Sequence, residues 1–197
     1  FKEPSYEYCD PSQIKLPIDW DVPFPPIKDY SFTFIDLFAG IGGFRIALQD
    51  LGGKCIFSSD IDRHVQDVYE RNFGEYPFGD ITSLNKEIIP PHDILCAGFP
   101  CQPFSISGLK KGFEDTRGTL IYDVFEIIKL RSPKVVFLEN VKHLLHHDKG
   151  NTLKVLLRDL KNMGYKTTYQ DLNASDCGVP QNGERIIIIG HKDKLFD

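Results

Sequence analysis

Short apolar runs alternate along the chain with longer stretches in which apolar residues recur every three or four positions. The first pattern suits a half-buried or buried strand and the second an amphipathic helix. A strand is predicted from Thr33 to Phe38, then a turn at Gly40, Gly42 and Gly43, then a helix with Phe44, Leu48 and Leu51 on one face. Cys55 to Ser59 reads as the next strand, and Val65, Val68, Tyr69 and Phe73 as the helix after it. Asp80 is placed at the end of a third strand, and Ile94 to Ala97 forms a fourth. Leu120, Val124, Ile127 and Ile128 mark a helix ended by Pro133. The buried run from Val135 to Leu138 is a fifth strand, ending at Glu139-Asn140-Val141. Leu153, Leu156, Leu157, Leu160 and Met163 give the clearest helical stripe, with Gly164 as its stop. Strands from Thr167 to Leu172 and from Arg185 to Ile189 complete the set. Strands alternating with helices predict an α/β fold, a mostly parallel sheet with helices on both faces.

The first 31 residues break this rhythm. Six prolines fall there (Pro4, Pro11, Pro17, Pro23, Pro25 and Pro26), as does the single tryptophan, Trp20. Proline fixes its own backbone angle and drives the preceding residue extended. Residues 1–31 are therefore read as an extended arm anchored by Tyr6, Trp20 and Phe24, and residues 32–197 as the folded domain. The arm is expected to pack on its own domain or to dock on another. The first residue is Phe1 and the one methionine is Met163, so the chain is read as processed, trimmed or a piece of something longer.

Composition narrows the class. Hydrophobic residues make up 41% and charged residues 26%, near the globular norm, which excludes a disordered chain or a coiled coil. No apolar run has the length of a membrane span and no secretory signal is present, so a cytoplasmic protein without membrane contact is expected. Five cysteines without CxxC spacing speak against a disulfide framework or a zinc site. His143, His146 and His147, next to Asp148, read as a solvated loop, and no metal is expected. The net charge is −5, so a protein that grips DNA with this chain alone would lack electrostatic means.

Chemistry-bearing residues cluster at the predicted strand ends, where open α/β sheets bind ligands. The first strand runs into Phe38-Ala39-Gly40-Ile41-Gly42-Gly43, whose glycines let backbone approach a ligand. The loop is neither the GxGxxG fingerprint nor a P-loop. Asp60 ends the second strand, where a carboxylate can accept from both hydroxyls of a ribose. Asp80 offers a second strand-end acid, or alternatively a cap for the segment starting at Ile81. A glycine loop with two acids and no phosphate cradle suits a nucleoside cofactor such as S-adenosylmethionine. Cys101, in the run Gly98-Phe99-Pro100-Cys101-Gln102-Pro103, is held between prolines in a loop, a setting for a nucleophile. Cys55 and Cys96 suit inert core positions. Glu139 leaves an apolar strand, so partial desolvation should raise its pKa and suit it to donate a proton.

These motifs, in this order, resemble those of bacterial DNA cytosine-5 methyltransferases: FAGIGG, the acid at Asp60, GDI at Gly79 to Ile81, GFPCQPFS, ENV and a late QxxER segment, from Phe34 to about Lys194. The resemblance implies the methyltransferase form of the Rossmann-like fold. It implies S-adenosylmethionine bound by Phe38, Ala39, Gly40, Ile41, Gly42, Gly43, Asp60, Ile61, Asp80, Ile81, Phe99, Pro100 and Leu120. It implies that Cys101 attacks carbon 6 of a flipped cytosine in double-stranded DNA, that Glu139 binds the N3/N4 edge, and that Arg185 holds O2. Gln102, Ser105, Ser107, Lys110, Lys111, Arg117 and Gln181 are the implied DNA contacts, most of them in the stretch from Ser105 to Leu120 that resembles the family's mobile catalytic loop.

Two departures stand out. Gly183 takes the place of an arginine usual two positions before Arg185. Nothing after Asp197 corresponds to the recognition domain and late motifs of the family, so a second protein chain or a missing part carrying them is expected. An RNA cytosine methyltransferase and a non-catalytic cofactor-binding subunit are the alternatives; the SISG after the PCQ motif and the intact Cys101 and Glu139 favour the DNA enzyme. A place in a restriction-modification system is expected.

Overall fold

The computed structural model describes residues 22–100 and 120–192. Six strands form one sheet: β1 (Phe32–Leu37), β2 (Gly53–Ser59), β3 (Ile94–Gly98), β4 (Val135–Val141), β5 (Lys166–Asn173) and β6 (Glu184–His191). Their order is β2-β1-β3-β4-β6-β5. The first four pair in parallel, and β6 runs antiparallel to both β4 and β5. The expected mostly parallel sheet is thus correct, with one reversed strand inserted next to the last.

Among the described residues, four α-helices flank it: α1 (Gly43–Asp50), α2 (Arg63–Phe73), α3 (Leu120–Arg131) and α4 (Asn151–Asn162). Local chemistry sets their ends. The Asp62 side chain accepts from the His64 and Val65 N–H groups at the start of α2, and Gly74 closes it in a left-handed conformation. Ser132 at φ 53 and Pro133 end α3, because proline cannot continue a helix.

Helices α3 and α4 cover one face, where Ile121, Val124, Phe125, Ile127 and Ile128 join Leu153, Leu156 and Leu160 over Ile35, Leu37, Leu95, Val136 and Leu138. Each such side chain contributes about 1.5–3 kcal/mol on full burial. Helices α1 and α2 cover the other face with Leu48, Tyr69 and Phe73 over Phe34, Cys55, Cys96 and Ala39.

Several expectations need correction. Asp80 does not end a strand: the segment before it meets the sheet only through a single parallel bridge, Ser59 to Phe78, and no further strand forms there. The segment from Ile81 is a turn rather than a helix, with Asp80 Oδ1 accepting from the Thr82 N–H at 2.9 Å. Leu51 is 71% exposed, because it caps the end of α1, and the buried stripe runs instead through Arg45 and Leu48. Val68 also faces solvent, and Gln66 takes the buried position on α2. The strand expected to end at Glu139-Asn140-Val141 does so: β4 runs to Val141.

Of the arm, the described part packs on its own domain. The Phe24 N–H donates to the Asn72 carbonyl at 3.0 Å and the Ser31 N–H to the Gly52 carbonyl at 2.9 Å. Tyr6 and Trp20 lie outside the described residues.

A buried hydroxyl joins the two halves of the sheet's far end: Tyr165 donates to the Pro133 carbonyl at 2.7 Å. Tyr165→Phe leaves that carbonyl without its donor and should cost about 1–3 kcal/mol. Urea denaturation should register a lower midpoint with an unchanged slope.

Candidate cofactor and target site

Parallel register brings four strand ends to one edge of the sheet. β1 delivers the loop from Phe38, with Phe38 itself left-handed at φ 55. β2 delivers Asp60, whose Oδ2 accepts from the Gly40 N–H at 2.9 Å and whose Oδ1 accepts from the Asp62 N–H at 3.0 Å. The carboxylate therefore shapes the loop as well as facing the edge. Each carboxylate oxygen has two acceptor directions, so both keep one for a hydroxyl.

Gln66 fixes this acid from behind. Its side-chain amide donates to the Asp60 carbonyl at 2.6 Å, its N–H₂ also reaches the Phe78 carbonyl at 3.4 Å, and Tyr76 donates to its Oε1 at 3.0 Å. Asp60 and the Gly79-Asp80-Ile81 segment are thus held by one side chain, even though the latter is not a strand. Ile81 and Phe99 are buried in the main core, and Leu120 packs against that core. Ile41 and Ile61 are exposed at the rim. A Cβ at Gly40, Gly43 or Gly79 would meet nothing within 4 Å, so the rim has open room where a nucleoside cofactor would lie.

Beneath the loop, Asp36 is fully buried next to Arg45. Burial holds its pKa well above the usual carboxylate range, while the charge of Arg45 works in the opposite direction. Burial pushes the Cys55 thiol up to about 12 and raises that of Cys96, as inert core thiols require.

The second half of the site lies across Gly98. A Cβ there would stand 3.3 Å from Glu139 Oε2 and 3.9 Å from the Phe38 carbonyl, so the absence of a side chain lets the carboxyl and the loop face each other. Arg185, arriving on the reversed strand β6, places Nε 2.8 Å from Glu139 Oε1. Burial raises the Glu139 pKa, and the Arg185 charge and hydrogen bond pull against that rise. Asn140, buried in β4, donates to the Phe99 carbonyl at 2.9 Å and so fixes the backbone that leads through Pro100 towards Cys101. Lys142 braces the exit of β4 with contacts to Glu184 at 2.6 Å and Asp171 at 3.3 Å.

Thus Phe38 to Gly43, Asp60, Ile61, Asp80, Ile81, Phe99, Pro100, Leu120, Glu139 and Arg185 all belong to this edge or the segments bounding it. Gln181 is exposed in the turn before β6, beside Gly183. Cys101, Gln102, Ser105, Ser107, Lys110, Lys111 and Arg117 lie outside the described residues. Gln66, Asn140 and Arg45 went unassigned by sequence reasoning. Asn140 sits in the ENV motif, and Arg45 three residues before Leu48 on a helical stripe, so both had a signal.

This arrangement matches a known family. The C-5 cytosine-specific DNA methylase profile covers residues 32–196. The chain belongs to that family. It is 54% identical over 172 residues to the type II methyltransferase M.HhaI of Haemophilus parahaemolyticus, covering 86% of this chain and 53% of that protein. It is 62% identical over 166 residues to M.HpaII of Haemophilus parainfluenzae, covering 82% of this chain and 46% of that one. The chain therefore spans about half the length of these curated relatives. The crystal structure of the S. pombe Dnmt2 methyltransferase, 16% identical, superposes with a TM-score of 0.66 over 85% of this chain and 51% of that one, a likeness of fold. The methylase family and the fold support S-adenosylmethionine as the methyl donor, consistent with the open rim above the loop. Among the described residues, no group of histidine, cysteine and acidic side chains could hold a metal, and no helix is long and apolar enough to cross a membrane.

The Glu139–Arg185 pair has a testable sign. Since the folded-state pKa of Glu139 exceeds its unfolded value, its stabilising contribution is complete below the unfolded pKa and is lost as pH rises through the folded one. A ¹³C-detected titration should find Glu139 above the ordinary glutamate range. Arg185→Met should move it higher still, because the ionised form loses its partner; an unchanged or lower value would contradict the pairing.

Proposed function

We propose that the protein transfers a methyl group from S-adenosylmethionine to carbon 5 of a cytosine flipped out of double-stranded DNA, through a covalent adduct to Cys101. The observation that carries the reading is Glu139, with raised proton affinity, held by Arg185 across Gly98 from the loop that Asp60 anchors. Phe38 to Gly43 hold the methionine part, Asp60 accepts from the ribose hydroxyls, and Ile61, Asp80 and Ile81 border the adenine. Phe99, Pro100 and Leu120 close the floor towards the target. When bound, S-adenosylmethionine supplies a methyl group electrophilic enough for carbon to take.

The target base has to leave the stack, because its reacting atoms are inaccessible there. The Cys101 thiolate adds to carbon 6, and the electron pair moves towards carbon 5. Glu139 gives or shares its proton at N3, which stabilises the charge that develops on the ring. Arg185 holds O2. After carbon 5 takes the methyl group, with S-adenosylhomocysteine as the leaving group, a base removes the carbon-5 proton, the double bond re-forms, Cys101 is expelled as thiolate, and the N3 proton returns to Glu139. Gln102, Ser105, Ser107, Lys110, Lys111, Arg117 and Gln181 are the proposed DNA contacts, mostly to phosphates, which position the duplex without reading it.

Recognition of a DNA sequence is assigned to a second chain or to the half of the relatives' length that this chain does not span. That part supplies the basic surface which a chain of net charge −5 lacks, within a cytoplasmic, nucleoid-associated type II restriction-modification system. The arm, residues 1–31, and the catalytic domain, residues 32–197, are its proposed division.

A duplex carrying 5-fluorocytosine at the target should trap a covalent adduct, since fluorine cannot leave as a proton would. Cys101→Ala should abolish both adduct and turnover, and an adduct that persists in this variant would move the nucleophile elsewhere. Glu139→Gln should cut the methyl-transfer rate by roughly 10²–10⁴-fold with little change in cofactor affinity; equal losses of both would remove Glu139 from the chemistry. The 197-residue chain alone should methylate DNA barely at all, and addition of the complementary part should restore site-specific methylation. Robust site-specific methylation by the chain alone would contradict the division of labour.

A further inference from the structure

Behind the cofactor loop lies a stack of side chains that the proposed chemistry does not use. Gly42 stands at φ +94, and a Cβ there would fall 2.1 Å from Phe73 Cε2, so the Phe73 ring lies directly against the loop's backbone. Phe73 is itself fully buried. On its flanks are Tyr69, with ring centroids 4.5 Å apart, and the guanidinium of Arg45, 4.5 Å from the Phe73 centroid. Arg45 is fully buried and held by Gln49 at 2.8 Å, Tyr69 at 3.1 Å and Glu75 at 2.6 Å. These three directions are closed by the domain itself. The fourth is closed by the arm: the Phe24 ring stands 5.9 Å from that of Phe73.

A second path joins the same two places. The Phe24 N–H donates to the Asn72 carbonyl at 3.0 Å, and the Asn72 side-chain amide donates to the carbonyl of Ile41 at 3.1 Å. Ile41 is a loop residue. Adjacent residues at the end of α2 therefore each carry one contact from the arm to the loop, one through a ring and one through hydrogen bonds. Phe24 nonetheless remains 39% exposed, so it adds little to the core.

We propose that Phe24 is a positioning residue for the cofactor: through Phe73 and Asn72, the arm holds the loop from Phe38 to Gly43 in its ligand-accepting shape. The inference rests on the reading of that loop as the S-adenosylmethionine site. It gives the arm a function within this chain. Because the loop's glycines and left-handed residues leave it intrinsically free, a backing on its buried side lowers the ordering cost that binding must otherwise meet.

The test is calorimetry of S-adenosylhomocysteine and S-adenosylmethionine with the 197-residue chain and its variants, alongside thermal denaturation. Phe24→Ala should weaken both ligands by roughly 3- to 10-fold, the range set by the loss of one aromatic pair. Asn72→Ala should weaken them by a similar factor, and the double variant by less than the product of the two, since both act on one loop. Phe24→Tyr keeps the ring and should restore affinity. Tyr30→Ala serves as the control: it removes an arm aromatic that sits over Lys54, away from the loop, and should leave affinity unchanged. Equal affinity in the parent and in Phe24→Ala would overturn the inference and leave the cofactor site standing. A parallel loss in Tyr30→Ala, or failure of Phe24→Tyr to rescue, would also overturn it, since it would mean that the arm acts only on overall stability. A parent chain that binds neither ligand would overturn the reading of the loop itself, and the inference with it.

Discussion

The parallel pairing of β1 with both β2 and β3 is the constraint on which the site depends. Leu37 pairs with Ser59 on one side and Ala97 on the other, so the residues just beyond these strands leave the sheet at the same height. Gly98 in turn pairs with Glu139, which carries the edge across to β4. A slip of one residue in any of these registers would turn every side chain of the slipped strand to the opposite face. The buried residues on β1 prevent it: Phe34 and Asp36 face α1, while Ile35 and Leu37 face the larger core, and all four are fully buried. Asp60, Gly98 and Glu139 meet because hydrophobic burial fixes the strands that precede them.

The reversed strand solves a second problem. A parallel strand would bring its carboxyl end to this edge; β6, running antiparallel, brings its beginning instead. Arg185 pairs with Val141 near the end of β4 and with Leu172 of β5, and from there reaches Glu139. Two opposed influences on Glu139 follow. Burial favours the protonated acid and the guanidinium favours the carboxylate. A group balanced in this way can change protonation state at modest cost, which is the property that proton donation to a ring nitrogen needs.

Much of this could be read from the amino-acid sequence. The strands from Thr33, Cys55, Ile94, Val135, Thr167 and Arg185 all exist within a residue or two; runs of apolar residues leave few alternatives for all but β5, an exposed edge strand marked by its β-branched and aromatic residues. Asp60 and Glu139 were identifiable as strand-end acids for the same reason. What escaped was set by tertiary contacts. The segment ending at Asp80 carries strand-like residues, yet it has a partner on one side only and forms a single bridge to β2. Leu51 continues the spacing of Phe44 and Leu48, but α1 stops one residue earlier and leaves it in solvent. Arg45, Gln66 and Asn140 are polar residues whose importance comes from burial against particular partners: Glu75, the Asp60 carbonyl and the Phe99 carbonyl. The ENV motif and the stripe on α1 single out Asn140 and Arg45, but spacing along the chain does not name the partners they meet. The position of the reversed β6 between β4 and β5 also required the three-dimensional pairing, since the last two strands read alike from their patterns.

The central claim is that the loop after β1 and the acid after β2 form a single cofactor edge, set apart from the helix-covered faces. Amide chemical-shift mapping of the ¹⁵N-labelled chain with S-adenosylhomocysteine tests it most directly. The account predicts the largest shifts at Gly40, whose N–H donates to Asp60, and at Ile61, Asp62 and Ile81, with α4 and β5 unmoved. Shifts concentrated on α4 and β5, with the Gly40 and Asp62 amides unchanged, would contradict it.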